Sequence, residues 1–149
     1  MPDRIQINDQ ITVGAQPSEA KLKAMADSGF ESVINLRTSD EPMQRLSPEE
    51  EGQIAERLGL DYGHIPVSME SADKELVDRF RQTLDRLPKP VYIHCRLGKR
   101  AGAFAIMDQA VEQDMSGRKA IQTAEEMGFQ CDEEALARFV RDYVNQRTS

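Results

Sequence analysis

Residues 91 to 105 hold the most suggestive chemistry of the chain: Val91-Tyr92-Ile93-His94-Cys95-Arg96-Leu97-Gly98-Lys99-Arg100-Ala101-Gly102-Ala103-Phe104-Ala105. Val91 to Ile93 is a short β-branched and aromatic run that reads as a strand ending at His94 and Cys95. A basic loop centred on Gly98 follows, and then an Ala-rich segment with helical propensity. A thiol between a strand end and a helix start feels positive potential from the helix terminus and from Arg96, Lys99 and Arg100. That potential favours the thiolate, which is the nucleophilic form. The backbone N–H groups of such a turn also cradle tetrahedral oxyanions. The stretch therefore pairs a nucleophile with an anion site, as attack on a phosphoryl or sulfur centre requires.

The elements that would position this loop alternate along the chain. Ile5 to Val13 reads as one or two short strands closed by Gly14. Ser18 is a candidate cap for a helix through Leu22, Met25 and Ala26 that stops at Gly29. Phe30 to Leu36 carries Val33, Ile34 and Leu36 and reads as a buried strand. Ser47-Pro48-Glu49-Glu50 combines a Ser cap, Pro at the first helical position and Glu at the third. The helix it starts carries Ile54, Ala55 and Leu58 and ends at Gly59. Tyr62 to Val67 is a further strand, running into a loop over Ser68 to Ala72. Leu76, Val77, Phe80, Leu84 and Leu87 then recur at helical spacing, until Pro88 and Pro90 end that helix. Three more helices are expected after Cys95: Ala101 to about Gln113, Ser116 to Met127, and Asp132 to about Asn145. Strand–helix alternation of this kind predicts an α/β domain over residues 1–149, with a mainly parallel sheet of four to five strands flanked by helices. Ligands of such folds sit beyond the carboxyl ends of the strands, and Cys95 lies at one.

Composition narrows the partners. The net charge of −7 argues against nucleic acid or an anionic membrane as the main partner, and makes the basic run at 96–100 stand out. No run of about 18 apolar residues is present, so no membrane span is expected. The start of the chain lacks the apolar core of a signal peptide, and Cys95 and Cys131 read as free thiols, so a reducing, cytoplasmic setting is expected. Cys131 is assigned no function. The two histidines and the carboxylates show no metal-ligand spacing, and neither metal nor cofactor is expected. The acidic stretches at 49–56 and 132–134 read as solvated helix faces.

Four segments carry a resemblance: Ile11-Thr12-Val13-Gly14-Ala15-Gln16-Pro17, Ser32-Val33-Ile34-Asn35-Leu36-Arg37, Tyr62-Gly63-His64-Ile65-Pro66-Val67, and His94-Cys95-Arg96-Leu97-Gly98-Lys99-Arg100-Ala101. In this order the chain resembles the cysteine-dependent protein tyrosine and dual-specificity phosphatases, and within them the small bacterial beta-lactamase-hydrolase-like branch. The wider family has five residues between Cys and Arg. Here Ala101 stands where that arginine would be, and Arg100 comes one residue early, as in the shorter Cys-x4-Arg form of the bacterial branch. Rhodanese-type sulfurtransferases share that shorter form.

The resemblance implies in-line attack by Cys95 on phosphorus, giving a phosphocysteine that water hydrolyses. Arg100 would offer a planar fork to two equatorial phosphate oxygens. Arg96, Leu97, Gly98, Lys99 and Ala101 would form the anion-binding loop, with Gly98 free to take a positive φ. His94 would support the loop from the core, and Arg37 would either brace it or face solvent. The leaving-group acid is open among Asp73, which is also a helix-cap candidate, Glu70, Asp40 and Glu41, because Met69 holds the position a simple alignment favours. The expected activity is hydrolysis of phosphomonoesters on a protein or a small molecule, phosphotyrosine being the family's usual substrate, with inorganic phosphate or sulfate able to occupy the loop. Two alternatives stay open: a Cys95 persulfide that transfers sulfur, and a phosphate-binding module without turnover.

Overall fold

The computed structural model describes residues 4–129 and 134–148. Five strands are β1 (Arg4–Gln6), β2 (Ile11–Gly14), β3 (Ser32–Asn35), β4 (Asp61–His64) and β5 (Val91–His94). The helices are α1 (Glu19–Asp27), α2 (Pro48–Arg57), α3 (Lys74–Arg86), α4 (Lys99–Glu112), α5 (Gly117–Glu126) and α6 (Glu134–Arg147). The sheet order is β1-β2-β5-β3-β4, parallel throughout except for β1, which runs antiparallel to β2. This is the α/β architecture expected from the alternation. The expected start of the last helix, and Cys131 with it, lies outside the described residues.

Local signals set most boundaries. Ser18 and Ser116 each accept a backbone N–H of the helix they precede, and Ser47 with Glu50 completes a capping box at α2. The helix expected from Ala101 begins two residues earlier, at Lys99, because Gly98 takes φ 104° and turns the chain directly into it. That conformation is strained for a residue with a side chain and accessible to glycine.

Register explains how the site is assembled. β5 lies at the centre of the sheet, and His94 stands level with Gly14 of β2 on one side and Asn35 of β3 on the other. The segments after these three strands therefore leave the sheet at one height, around Cys95. Side chains alternate across the strands and split the core in two. Ile34 and Ile93 point into the larger cluster, with Phe80, Phe104 and Val140. Val33 joins Leu22, Ile54, Ala55 and Leu60 in the smaller one, under α1 and α2. The acidic face expected at 49–56 is only partly solvated, because Glu51 is fully buried. Of the other acidic stretch, Glu134 is exposed and residues 132–133 lie outside the described part.

Helix α4 runs through the core, buried continuously from Ala101 to Ala110. Its tightest contact is at Gly102, where a Cβ would lie 2.3 Å from the Phe129 ring. The ring is itself packed in the core, so an added methyl must displace it. Gly102→Ala is accordingly expected to lower the unfolding free energy by about 1–3 kcal/mol, the usual cost of overpacking, despite the better helix propensity of Ala. Urea denaturation would measure this, and an unchanged midpoint would contradict the close-packing reading.

Candidate active site

The sulfur of Cys95 occupies the place normally filled by a helix-capping oxygen. Helix α4 has no side-chain cap from its own N-cap residue, Gly98. Instead, the N–H groups of Gly98 and Ala101 point at Cys95 Sγ, at 3.1 and 3.5 Å. The first turn of a helix carries N–H groups without intrahelical partners, and two of them are spent on this sulfur. Cys95 is buried, with its side chain in the main core cluster, while Arg96 and Leu97 project outward from the loop.

Arg100 is held from the opposite wall. Its Nη1 donates to Glu41 Oε2 at 2.7 Å and to the Val67 carbonyl at 2.8 Å, and its Nη2 donates to Glu41 Oε1 at 2.8 Å. A guanidinium has five N–H donors, so these three bonds leave the Nε–H and one Nη2 hydrogen, which share one edge of the plane. That edge can take two oxygens of one anion. Hydrogen bonding to Glu41 raises the Arg100 pKa, burial works against it, and the nearby Cys95 sulfur and the charge of Glu41 add to the rise.

Glu41 is the hub of this wall. Besides Arg100 it accepts from Arg37 Nε at 3.1 Å and from the Thr38 N–H at 2.6 Å. Burial pushes its carboxyl up, but the bonds from Arg100, Thr38 and Arg37 outweigh burial and hold its pKa at about 2. Glu41 is therefore held as the anionic partner of Arg100, with its two oxygens taken up by Arg100, Arg37 and Thr38.

Arg37 does not face solvent. It is 2% exposed and donates to Glu41, to Gln16 Oε1 and to the Pro42 carbonyl. Gln16 donates in turn to the Leu46 carbonyl at 3.1 Å and to Glu51 Oε1 at 3.4 Å. Glu51 Oε2 meets His94 Nε2 at 2.6 Å, with both side chains at 0% exposure. One string of hydrogen bonds thus runs from His94, just before Cys95, through Glu51, Gln16, Arg37 and Glu41 to Arg100. Its members come from β5, α2, the start of α4 and the segments after β2 and β3, which the sheet register had brought to one height.

Other expected site residues lie further from the sulfur's bonds. Asp73 is exposed at the N-cap of α3, where Oδ1 accepts the Leu76 N–H at 2.9 Å. Asp40 is exposed and accepts from Thr38 Oγ1, and Glu70 is exposed on the loop before α3. Glu51 and Gln16 were not assigned roles by sequence reasoning. Glu51 sits three residues before Ile54 and four before Ala55, on the inward stripe of α2, so the helical spacing itself marked it as buried. Among the described residues, no three His, Cys, Asp or Glu side chains converge as a metal site would require. Nor is any helix among them long and apolar enough to cross a membrane.

Comparison with known proteins bears on the family and the fold. Residues 4–142 match the family model described as "DSP-PTPase phosphatase fused to NAD+ Kinase". The chain is 31% identical over 108 residues to a beta-lactamase hydrolase-like protein of Agrobacterium fabrum, covering 72% of this chain and 25% of the relative. It thus spans about a quarter of the length of that relative. Among solved structures, a DUF442 protein of Shewanella putrefaciens superposes with TM-score 0.82 at 23% identity, over 99% of this chain and 94% of that one. TpbA of P. aeruginosa, crystallised with phosphotyrosine, superposes with TM-score 0.73 at 17% identity, over 97% and 88% of the two chains. At these identities the likeness to both structures is one of fold.

The Glu41 hub carries a pH signature. A carboxyl whose pKa is lowered on folding contributes stability that is present above its unfolded value, near 4.5, and lost as pH falls toward its folded value of about 2. The stability difference between the native chain and Glu41→Gln is expected to be roughly 1–2 kcal/mol at pH 7, with solvent at the rim of the pair reducing the full linkage value. It should shrink between pH 4.5 and 2. Chemical denaturation of both chains across that range reads it, and a difference independent of pH would contradict the hub.

Proposed function

From its membership of the DSP-PTPase phosphatase family, to which this chain belongs, we propose that the protein is a cysteine-dependent phosphatase acting on phosphomonoesters. What carries the reading is the convergence of two backbone N–H groups on Cys95 Sγ, beside a guanidinium whose Nε–H and second Nη2 hydrogen are not used by Glu41 or Val67. The thiolate attacks phosphorus in line, so that a P–S bond forms as the ester P–O bond breaks. The Nε–Nη2 edge of Arg100 and the loop N–H groups hold the equatorial oxygens, where charge develops. Water then attacks the phosphocysteine, releases inorganic phosphate and returns the thiolate.

An apolar cavity of about 210 Å³ adjoins Arg100, lined by Met69, Lys99, Ala135, Leu136 and Phe139. It suits the organic group of the ester, and an aryl group such as that of phosphotyrosine fits its lining. Asp73 is the proposed source of the leaving-group proton, through Oδ2, which its capping bond does not use. A nucleophile that must stay a free thiol works in a reducing compartment, and the cytoplasm is the proposed location.

Two experiments test this. Purified protein is expected to hydrolyse p-nitrophenyl phosphate, Cys95→Ser to abolish hydrolysis, and Arg100→Lys to lower kcat/KM by about 10²–10³, as loss of one oriented oxyanion clamp does. Activity that survives Cys95→Ser removes the thiolate mechanism. Thiocyanate formation from thiosulfate and cyanide would instead assign the loop to persulfide chemistry, and silence in both assays to anion binding alone.

The second experiment separates the two roles of Asp73. Asn caps helices as well as Asp does but carries no proton to give. Asp73→Asn should therefore leave stability and p-nitrophenyl phosphate turnover nearly unchanged, yet slow hydrolysis of phenyl phosphate, a poorer leaving group, by about 10²-fold. Equal rates for both chains on both esters would reduce Asp73 to a cap.

A further inference from the structure

Beside the loop lies a cleft of about 370 Å³ that shares no lining residue with the apolar cavity. Its lining includes Lys21, Arg37, Arg45 and Arg96, with no aspartate or glutamate among the lining residues. At about 30 Å³ of liquid volume per water, it holds roughly a dozen waters, ample for a phosphoryl group. Arg37 forms part of the lining, and three of its five N–H donors are already used by Glu41, Gln16 and Pro42.

The other three cations are different. Lys21, Arg45 and Arg96 are all exposed, and among the described residues none forms a salt bridge. Arg96 is oriented only by a 3.5 Å contact from Nη2 to Met43 Sδ. In a chain of net charge −7, carboxylates are plentiful, and ion pairs elsewhere on the surface use them. Three like charges gathered around one concavity without a carboxylate repel one another, a cost that an anionic ligand would remove.

The position of the cleft says what kind of anion. Arg96 and Leu97 belong to both the anion-binding loop and the cleft. Leu97 is two residues from Cys95, a span of at most about 8 Å between Cα atoms. One molecule can therefore reach both sites. We propose that the cleft is a second phosphate subsite, and that the preferred substrate carries two phosphoryl groups: one above Cys95 for hydrolysis, the other held by Lys21, Arg45 and Arg96. This deepens the phosphatase reading, since it takes the loop as the site of hydrolysis. The second phosphoryl group can belong to a small bisphosphate or to a neighbouring residue of a phosphopeptide.

Calorimetry on the Cys95→Ser chain tests the subsite without turnover. One arm compares fructose 1,6-bisphosphate with fructose 6-phosphate. The other compares a phosphotyrosine peptide with the same peptide bearing an adjacent phosphoserine. The bisphosphorylated member of at least one pair is expected to bind roughly tenfold more tightly, the increment of one charge-assisted contact. The arm that discriminates identifies the source. Adding Lys21→Ala and Arg45→Ala should bring that ratio close to one, and raising the salt should erode it in the parent chain. Equal affinities in both pairs, or a preference that outlives the double substitution, would overturn the subsite. If the native chain hydrolyses no phosphate ester, the phosphatase reading alone fails, because the binding ratios are measured independently of turnover.

Discussion

The two carboxylate oxygens of Glu41 and the guanidinium of Arg100 form the contact on which the arrangement of the site depends. A guanidinium at the start of a helix, left to itself, samples many rotamers, and its ordering entropy would be lost again at every binding event. Two parallel bonds to one carboxylate, with a third to the Val67 carbonyl, fix the plane of the group before any ligand arrives. The choice of donors matters as much as their number. Because Glu41 and Val67 take both Nη1 hydrogens and one from Nη2, the side edge of the fork is the part left over. Arginine can be held by one edge and work with the other; the point charge of a lysine cannot be divided in this way.

The remaining members of the string extend that fixing to the other end of the loop. Charged and polar groups taken out of water are costly unless they are paired with good geometry. His94, Glu51 and Arg37 are each buried, and each has partners within the string. Breaking any link would leave its neighbours buried and incompletely bonded, so the energetic penalty spreads beyond the pair that is broken. The loop is thereby held at His94 on one side and Arg100 on the other. The sulfur between them is positioned by the same framework that packs the core.

Much of this was legible in the residues, and the parts that were not have a common cause. Ser47-Pro48-Glu49-Glu50 signals the start of α2 through contacts within four residues, and the structure contains that capping box. Val91 to Ile93 and Gly98 likewise encode a strand end and a left-handed turn locally. Glu51 was legible in principle, because its spacing from Ile54 and Ala55 places it on the buried stripe of α2. An acidic run invites reading as a solvated face, and the countersign is His94, 43 positions away. Glu41 lies in an irregular segment with no period to read, and its role exists only because Arg100, 59 residues later, returns beside it. Contacts closed over such separations depend on topology, which a local pattern does not contain.

The outer strands of the sheet have a consequence for solution behaviour. β1 is three residues long with Arg4 and Gln6 exposed, and β4 is four residues long and opens on the exposed Asp61. An unpaired sheet margin is a template for another chain, and short margins carrying charged groups are a common defence against such pairing. Both borders are short and begin with a charged, exposed residue, so they offer little purchase for intermolecular zippering or for growth into aggregates.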